Sequence, residues 1–216
     1  MSQPAPEELL LDYAAGALDP APALALSLHV ALDPQARRTV DRLGMLGGAL
    51  LEEAPGEAID DDFLAATLAK LDGVSVEPPA RPYVPRPGFE WVPAPLARHI
   101  PAGAQWRSVL GGFEEIRLNV PGRHYRTSLL KLAPGRALPA HRHVGEEFTV
   151  CLQGGYSDAT GSYGVGDLAI GPGPERHEPI ADPGEPCIAL IVVERPVVLT
   201  GPIGRFFNPL VRRGII

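Results

Sequence analysis

Between residues 135 and 154 lies the feature that most limits this chain: Gly135, His141, His143, Glu147 and Gly154 follow the spacing Gly-x5-His-x-His-x3-Glu-x6-Gly. Side chains two apart on a strand point to the same face, so His141 and His143 form a chelating pair on one side of an extended segment. Glu147 shares their parity, although the Val144-Gly145 corner interrupts the strand and its approach depends on that bend. Imidazoles and a carboxylate on one face suit a divalent metal. Glu146 has the opposite parity and reads as a solvated surface charge. His99 and His124 stand alone in strand or loop contexts and read as hydrogen-bonded structural residues.

The two halves of the chain differ in period. Up to about Gly73 apolar residues recur at helical spacing. Asp19-Pro20 and Asp33-Pro34 each set a capping carboxylate before a proline that suits the first helical position. A first helix is expected over Glu7 to Ala17, carrying Leu9, Leu10 and Tyr13. Leu24, Leu28 and Leu32 stripe the second, and Val40, Leu43, Leu46, Gly47 and Leu50 stripe the third. Asp60 to Asp62 place negative charge at the positive end of a fourth, which carries Phe63, Leu64, Leu68 and Leu71. Pro78, Pro79, Pro82, Pro85 and Pro87 then suit neither helix nor central strand. Beyond them Glu115 to Val120, Tyr125 to Leu132, Glu147 to Leu152 and Cys187 to Val193 are short apolar segments cut by Gly and Pro turns, the pattern of a sandwich or barrel. The expected domains are therefore 1–73 helical, 74–88 linker and 89–216 barrel.

A formal net charge of -7 without a Lys/Arg cluster argues against direct nucleic-acid binding and for a basic protein partner. Met1 to Glu8 lacks a basic region followed by an apolar run, and Ile188 to Val193 is too short to span a bilayer, so the expected location is the cytoplasm. Cys151 and Cys187 sit in apolar strand-like segments and read as buried thiols. Trp91 and Trp106 are expected to cover the barrel edge or the junction with the helices.

The glycine and ligand spacing of residues 135–154 is that of the first cupin motif. A second cupin motif runs from Gly166 through Pro172 and Gly173 to His177, which would be the fourth ligand. Pro174 and Ala181 depart from it, where Gly and Asn are usual. The expected fold class is α+β, a small N-terminal helical domain followed by a C-terminal cupin, the RmlC-like jelly-roll barrel or double-stranded β-helix. One divalent metal per chain is expected at His141, His143, Glu147 and His177, with zinc, iron, manganese and nickel all compatible with these donors.

The whole chain resembles the ChrR-like anti-sigma factors, which join a helical sigma-binding domain to a cupin. Leu9-Leu10-Leu11-Asp12-Tyr13-Ala14-Ala15-Gly16 is similar to that family's first helix, and Leu46-Gly47-Gly48-Ala49-Leu50-Leu51-Glu52 to the end of its third. Phe63 to Asp72 is similar to the fourth, which in the family packs on the sigma factor and occludes its polymerase-binding surface. The resemblance implies zinc as the cupin metal, a part in sensing oxidative stress, and inhibition of an extracytoplasmic-function sigma factor bound by the N-terminal helices. It also implies a second zinc, held in the helical domain by a His-x3-Cys-x2-Cys motif and an upstream His. Here only His29 survives, with Asp33 and Ala36 at the cysteine positions, so no second zinc is expected and His29 reads as polar surface.

Other readings of the same residues are a cupin metalloenzyme of dioxygenase or isomerase type, with Glu175 and Glu178 as the nearest acid–base candidates, and a small-molecule-binding cupin. Nothing in the chain specifies catalysis over sensing. Paired barrel edges would give a homodimer.

Overall fold

A computed structural model describes residues 4–71, 87–109, 112–122, 124–171, 176–201 and 204–212. Four helices come first, α1 (Glu7–Ala14), α2 (Pro20–Leu32), α3 (Pro34–Glu53) and α4 (Phe63–Leu71), and a short α5 (Ala94–Ala97) leads into the strands. These are β1 (Arg107–Val109), β2 (Phe113–Arg117), β3 (Arg126–Leu132), β4 (His141–Arg142), β5 (Glu147–Gln153), β6 (Gly155–Asp158), β7 (Gly161–Gly164), β8 (Leu168–Ile170), β9 (Arg176–His177), β10 (Ile180–Ala181), β11 (Cys187–Val193) and β12 (Val198–Leu199). A 3-10 turn, Gly204–Phe207, and α6 (Asn208–Arg212) follow. The expected linker, 74–88, falls outside the described residues except for Pro87 and Gly88.

Local chemistry explains the helix ends. Asp33 Oδ1 accepts the backbone N–H groups of Gln35 at 2.6 Å and Ala36 at 2.9 Å, so this carboxylate caps α3 as expected. Asp19 does not: its side chain makes no capping bond, and only its carbonyl joins the helix, accepting from Ala23. The first helix stops at Ala14 rather than Ala17 because Gly16 adopts φ +69°, and the N–H groups of Gly16 and Ala17 turn back to the carbonyls of Tyr13 and Asp12. Arg37 reaches back from α3 to the open end of α2, donating to the carbonyls of Ala31 at 2.6 Å and Val30 at 3.3 Å.

The strands form a six-stranded antiparallel sheet, in the order β1-β2-β3-β11-β5-β8, and two three-stranded sheets, β10-β6-β7 and β12-β4-β9. Strand parity splits the apolar side chains into two cores. On the outer face of the six-stranded sheet Phe148, Val150, Leu152, Leu190 and Val192 join Leu24, Ala25, Leu26 and Leu28 of α2 and Leu96 of α5 in one cluster. Between the sheets Leu132, Cys151, Tyr156, Tyr163, Ala181 and Cys187 form the other. Both cysteines are buried free thiols. The tight turn after β5 needs its glycine: Gly154 has φ +66°, and a Cβ there would come within 2.7 Å of the Pro186 carbonyl oxygen.

Two further sequence expectations need correction. His29 is not polar surface: it is fully buried, and its Nδ1–H donates to the Gly166 carbonyl at 2.7 Å, so the end of α2 is bonded to the turn before β8. Second, the stripe on α3 is only half covered. Val40 and Leu43 pack against the outer core beside Leu9 and Tyr13, whereas Leu46 and Leu50 lie in the open.

Candidate metal centre

The central three-stranded sheet brings the histidines together. In the antiparallel pairing of β4 with β9, His141 sits directly across from His177. His143 follows two residues on, past the end of β4, and its ring lies 4.9 Å from each of the other two. The Nε2 atoms converge: His143 to His177 is 2.7 Å and His177 to His141 is 3.0 Å. Ligand nitrogens on all three residues lie within 4.8 Å of one another.

The other face of each ring fixes which nitrogen carries the proton. His141 Nδ1 lies 2.7 Å from the Pro139 carbonyl and His177 Nδ1 lies 2.9 Å from Asp158 Oδ2, while His143 Nδ1 contacts Glu147 Oε2. A carbonyl or carboxylate oxygen can only accept, so these Nδ1 atoms donate and the Nε2 lone pairs are left facing one another. Such an arrangement repels itself unless a cation lies among the nitrogens. A shared proton satisfies one close contact; a metal ion satisfies all of them. Tetrahedral zinc with bonds of about 2.0–2.1 Å holds its nitrogens about 3.3 Å apart, near the spacing here. Burial, opposed by the Pro139 hydrogen bond, pushes His141 down to about 4, and its His177 and His143 neighbours push the same way, so the ring is a neutral ligand at pH 7. The donor set fits a divalent transition metal.

Glu147, at the start of β5, stands beside this cluster. Its Oε1 accepts from the Thr149 hydroxyl at 2.8 Å, and its Oε2 is buried against His143 Nδ1. Burial alone would raise its carboxyl, but His143 and the Thr149 hydroxyl outweigh that and hold it below the usual range. The structure thus places Glu147 against the outer nitrogen of His143, whereas the ligand atoms that converge are those of His141, His143 and His177.

Asp158 was not visible as a site residue in the sequence. It ends β6, lies beside His177, and belongs to neither motif. Burial works against its ionisation, yet the hydroxyl and N–H of Thr160 and the His177 ring keep it ionised by lowering its range. Carboxylates behind a ligating imidazole commonly fix its tautomer and raise its basicity. Glu175 falls outside the described residues, and Glu178 is exposed on the barrel surface rather than in the lumen. His99 donates to the Asn119 carbonyl, and His124 is exposed. Glu146 is an exposed acceptor for the Tyr125 hydroxyl at 2.6 Å.

The cluster opens onto a cavity of about 410 Å³ between the sheets. Tyr156 and Tyr163 stack on its wall with centroids 4.8 Å apart. Phe207 and Val211 of the C-terminal segment close part of it, and Asn208 pins that segment to β12 through two bonds with the Leu199 backbone, at 2.8 and 3.1 Å.

Residues 98–197 match the profile of the ChrR cupin-like domain. The chain is 33% identical over 210 residues to the anti-sigma-E factor ChrR of Cereibacter sphaeroides, covering 95% of this chain and 96% of that protein. In three dimensions it is similar to the anti-sigma ChrR crystallised in complex with SigE of Rhodobacter sphaeroides, with a TM-score of 0.73, 32% identity, and coverage of 88% of this chain and 97% of the other. A more distant likeness, at 18% identity and a TM-score of 0.43, is an RmlC-like cupin of Ralstonia eutropha, covering 49% of this chain and 73% of that one.

Proposed function

The chain belongs to the ChrR-like anti-sigma factors, and from that premise we propose that it binds and inhibits an extracytoplasmic-function sigma factor in the cytoplasm through its N-terminal helices. The observation that carries this is the bare apolar face of α3 and α4. Met45, Leu46, Leu50 and Leu51 with Phe63 and Leu68 are each between 52% and 76% exposed, and clustered apolar side chains in water mark an interaction surface. α3 is 20 residues, about 30 Å, and its far half has nothing over it among the described residues. Anchors at helical spacing on two consecutive helices fit a helix-in-groove contact, and a net charge of -7 suits a basic partner.

In the same proposal the cupin holds one zinc through His141, His143, Glu147 and His177 and serves to sense stress rather than to catalyse. This requires the Glu147 carboxylate to turn from His143 Nδ1 to the ion, and four protein ligands then leave a tetrahedral zinc no open position for substrate. No helix among the described residues is long and apolar enough to cross a membrane.

The test is competition. The full chain, mixed with an extracytoplasmic-function sigma factor of its own organism, should stop that factor from binding core polymerase. The double variant Leu50→Asp, Leu68→Asp should lose at least about 100-fold in affinity, since two buried apolar anchors carry about 3 kcal/mol or more. Undiminished inhibition by the double variant would sink the helical site, and no inhibition by the wild-type chain would sink the function. Elemental mass spectrometry on protein purified without added metal checks the zinc.

A further inference from the structure

We infer that the lumen beside the histidine cluster binds a small apolar monocarboxylic acid, with its carboxylate at the metal end and its chain along the apolar wall. The inference rests on the reading of the cluster as a metal site. A cavity of about 410 Å³ is in the size range of small-molecule pockets. Its chemistry is lopsided. Along β11 the inward residues run from Val193 at one end to Cys187 at the other. Val193 pairs with Arg126 on one side and Glu147 on the other, so Arg126 stands at the end of the lumen where the metal cluster lies. The opposite end is apolar: Cys187 pairs with Leu132, which pairs with Phe113, and Leu130, Leu138 and the stacked Tyr156 and Tyr163 complete the wall.

Charge selects the head group. Glu115 is already held by Arg107 and Arg117, and the carboxylates left in the lumen are Glu147 and Asp158, with the exposed Arg126 at the cluster end. A divalent cation on the histidines balances those two carboxylates, which leaves the one positive charge of Arg126 for a monoanion to pair with. A neutral guest leaves the charge uncompensated. A dianion overshoots, and its second carboxylate would have to enter the apolar end. The C-terminal segment supports enclosure, because Phe207 and Val211 face the cavity from the side of β12, whose Leu199 pairs with His141.

The experiment is calorimetric titration of the full chain, purified without added metal, with octanoate, 1-octanol and acetate, and with metal content measured on every sample. Octanoate should bind once per chain and at least tenfold more tightly than octanol or acetate. Arg126→Gln should weaken octanoate about tenfold and leave octanol unchanged, and Ala189→Phe should block octanoate while metal content and near-ultraviolet circular dichroism keep their wild-type values. Octanoate heats equal to those of octanol on metal-loaded protein would overturn the ligand and leave the metal site standing. Wild-type octanoate affinity in metal-loaded Arg126→Gln would overturn the placement of the carboxylate. Protein that carries no metal would overturn both the site and the ligand.

Discussion

Replacing His29 by Ala should destabilise the chain by about 3 kcal/mol while leaving its metal content intact. The side chain is fully buried, and its one hydrogen bond crosses from α2 to the Gly166 carbonyl. Truncation strands that buried carbonyl, at about 1–3 kcal/mol, and opens a cavity in the outer core, where large-to-small changes cost about 2–5 kcal/mol. One contribution runs the other way. His29 Nε2 is buried without a partner, so removing it recovers about 1 kcal/mol or more. For a chain of this size, about 3 kcal/mol corresponds to a fall in Tm of about 6–12 °C. His29→Leu keeps the volume and removes the orphan nitrogen together with the bond, so it should cost less than half as much. Thermal and urea unfolding with parallel metal analysis measure both. A loss below about 1 kcal/mol for the Ala variant would refute the view that this contact fastens the helices to the barrel. A fall in metal content would refute the assignment of His29 to structure alone.

Metal analysis should show His141→Ala or His143→Ala losing most of the bound ion, with a lower Tm for the barrel; full retention would exclude both as ligands. Asp158→Asn should weaken metal affinity about 10–100-fold by loosening the tautomer of His177, as read by competition with a chromophoric chelator, and unchanged affinity would remove Asp158 from the site. Acid should act through His141. Its folded value of about 4 lies below the ordinary 6.5, so the stability held by the neutral ring is present above about pH 6.5 and lost as pH falls toward 4. Metal release follows the same direction, since the ligands must be deprotonated. Metal-free protein that grows more stable over this range would contradict the assignment.

How much of this could be read from the sequence depended on where the causal residues lie. Cys187 to Val193 occupies β11 with the bounds expected, because a continuous apolar run between Gly/Pro turns has one reading. Glu147 to Leu152 does nearly as well. The histidines were legible because parity and spacing act within a few residues. His29 was not, because α2 was read for one stripe. Its sequence, PAPALALSLHVAL, is apolar on every side, which marks a helix buried all round and would have placed His29 inside. Asp158 could not be found by local spacing: it meets His177 only through the folding of β6 over the lumen, 19 residues away in the chain. The cap at Asp19 failed for a related reason, since nothing in the Asp-Pro dipeptide distinguishes it from the working cap at Asp33.

Alternation along β5 makes that strand the base of a lever. Glu147 and Thr149 face the lumen, while Phe148, Val150 and Leu152 face the outer core with α2. α2 in turn passes its direction to α3 through a single intervening residue, Asp33. A shift of β5 by a few tenths of an ångström therefore bears on the short arm of a body whose long arm is α3, about 30 Å from Pro34 to Glu53. A tilt of about 5° at Asp33 would carry the Leu50–Leu51 end, about 25 Å away, through about 2.2 Å. A displacement at the histidines that reached Asp33 would be multiplied at the apolar tip, where about 2 Å decides whether a side chain meets its socket or misses it.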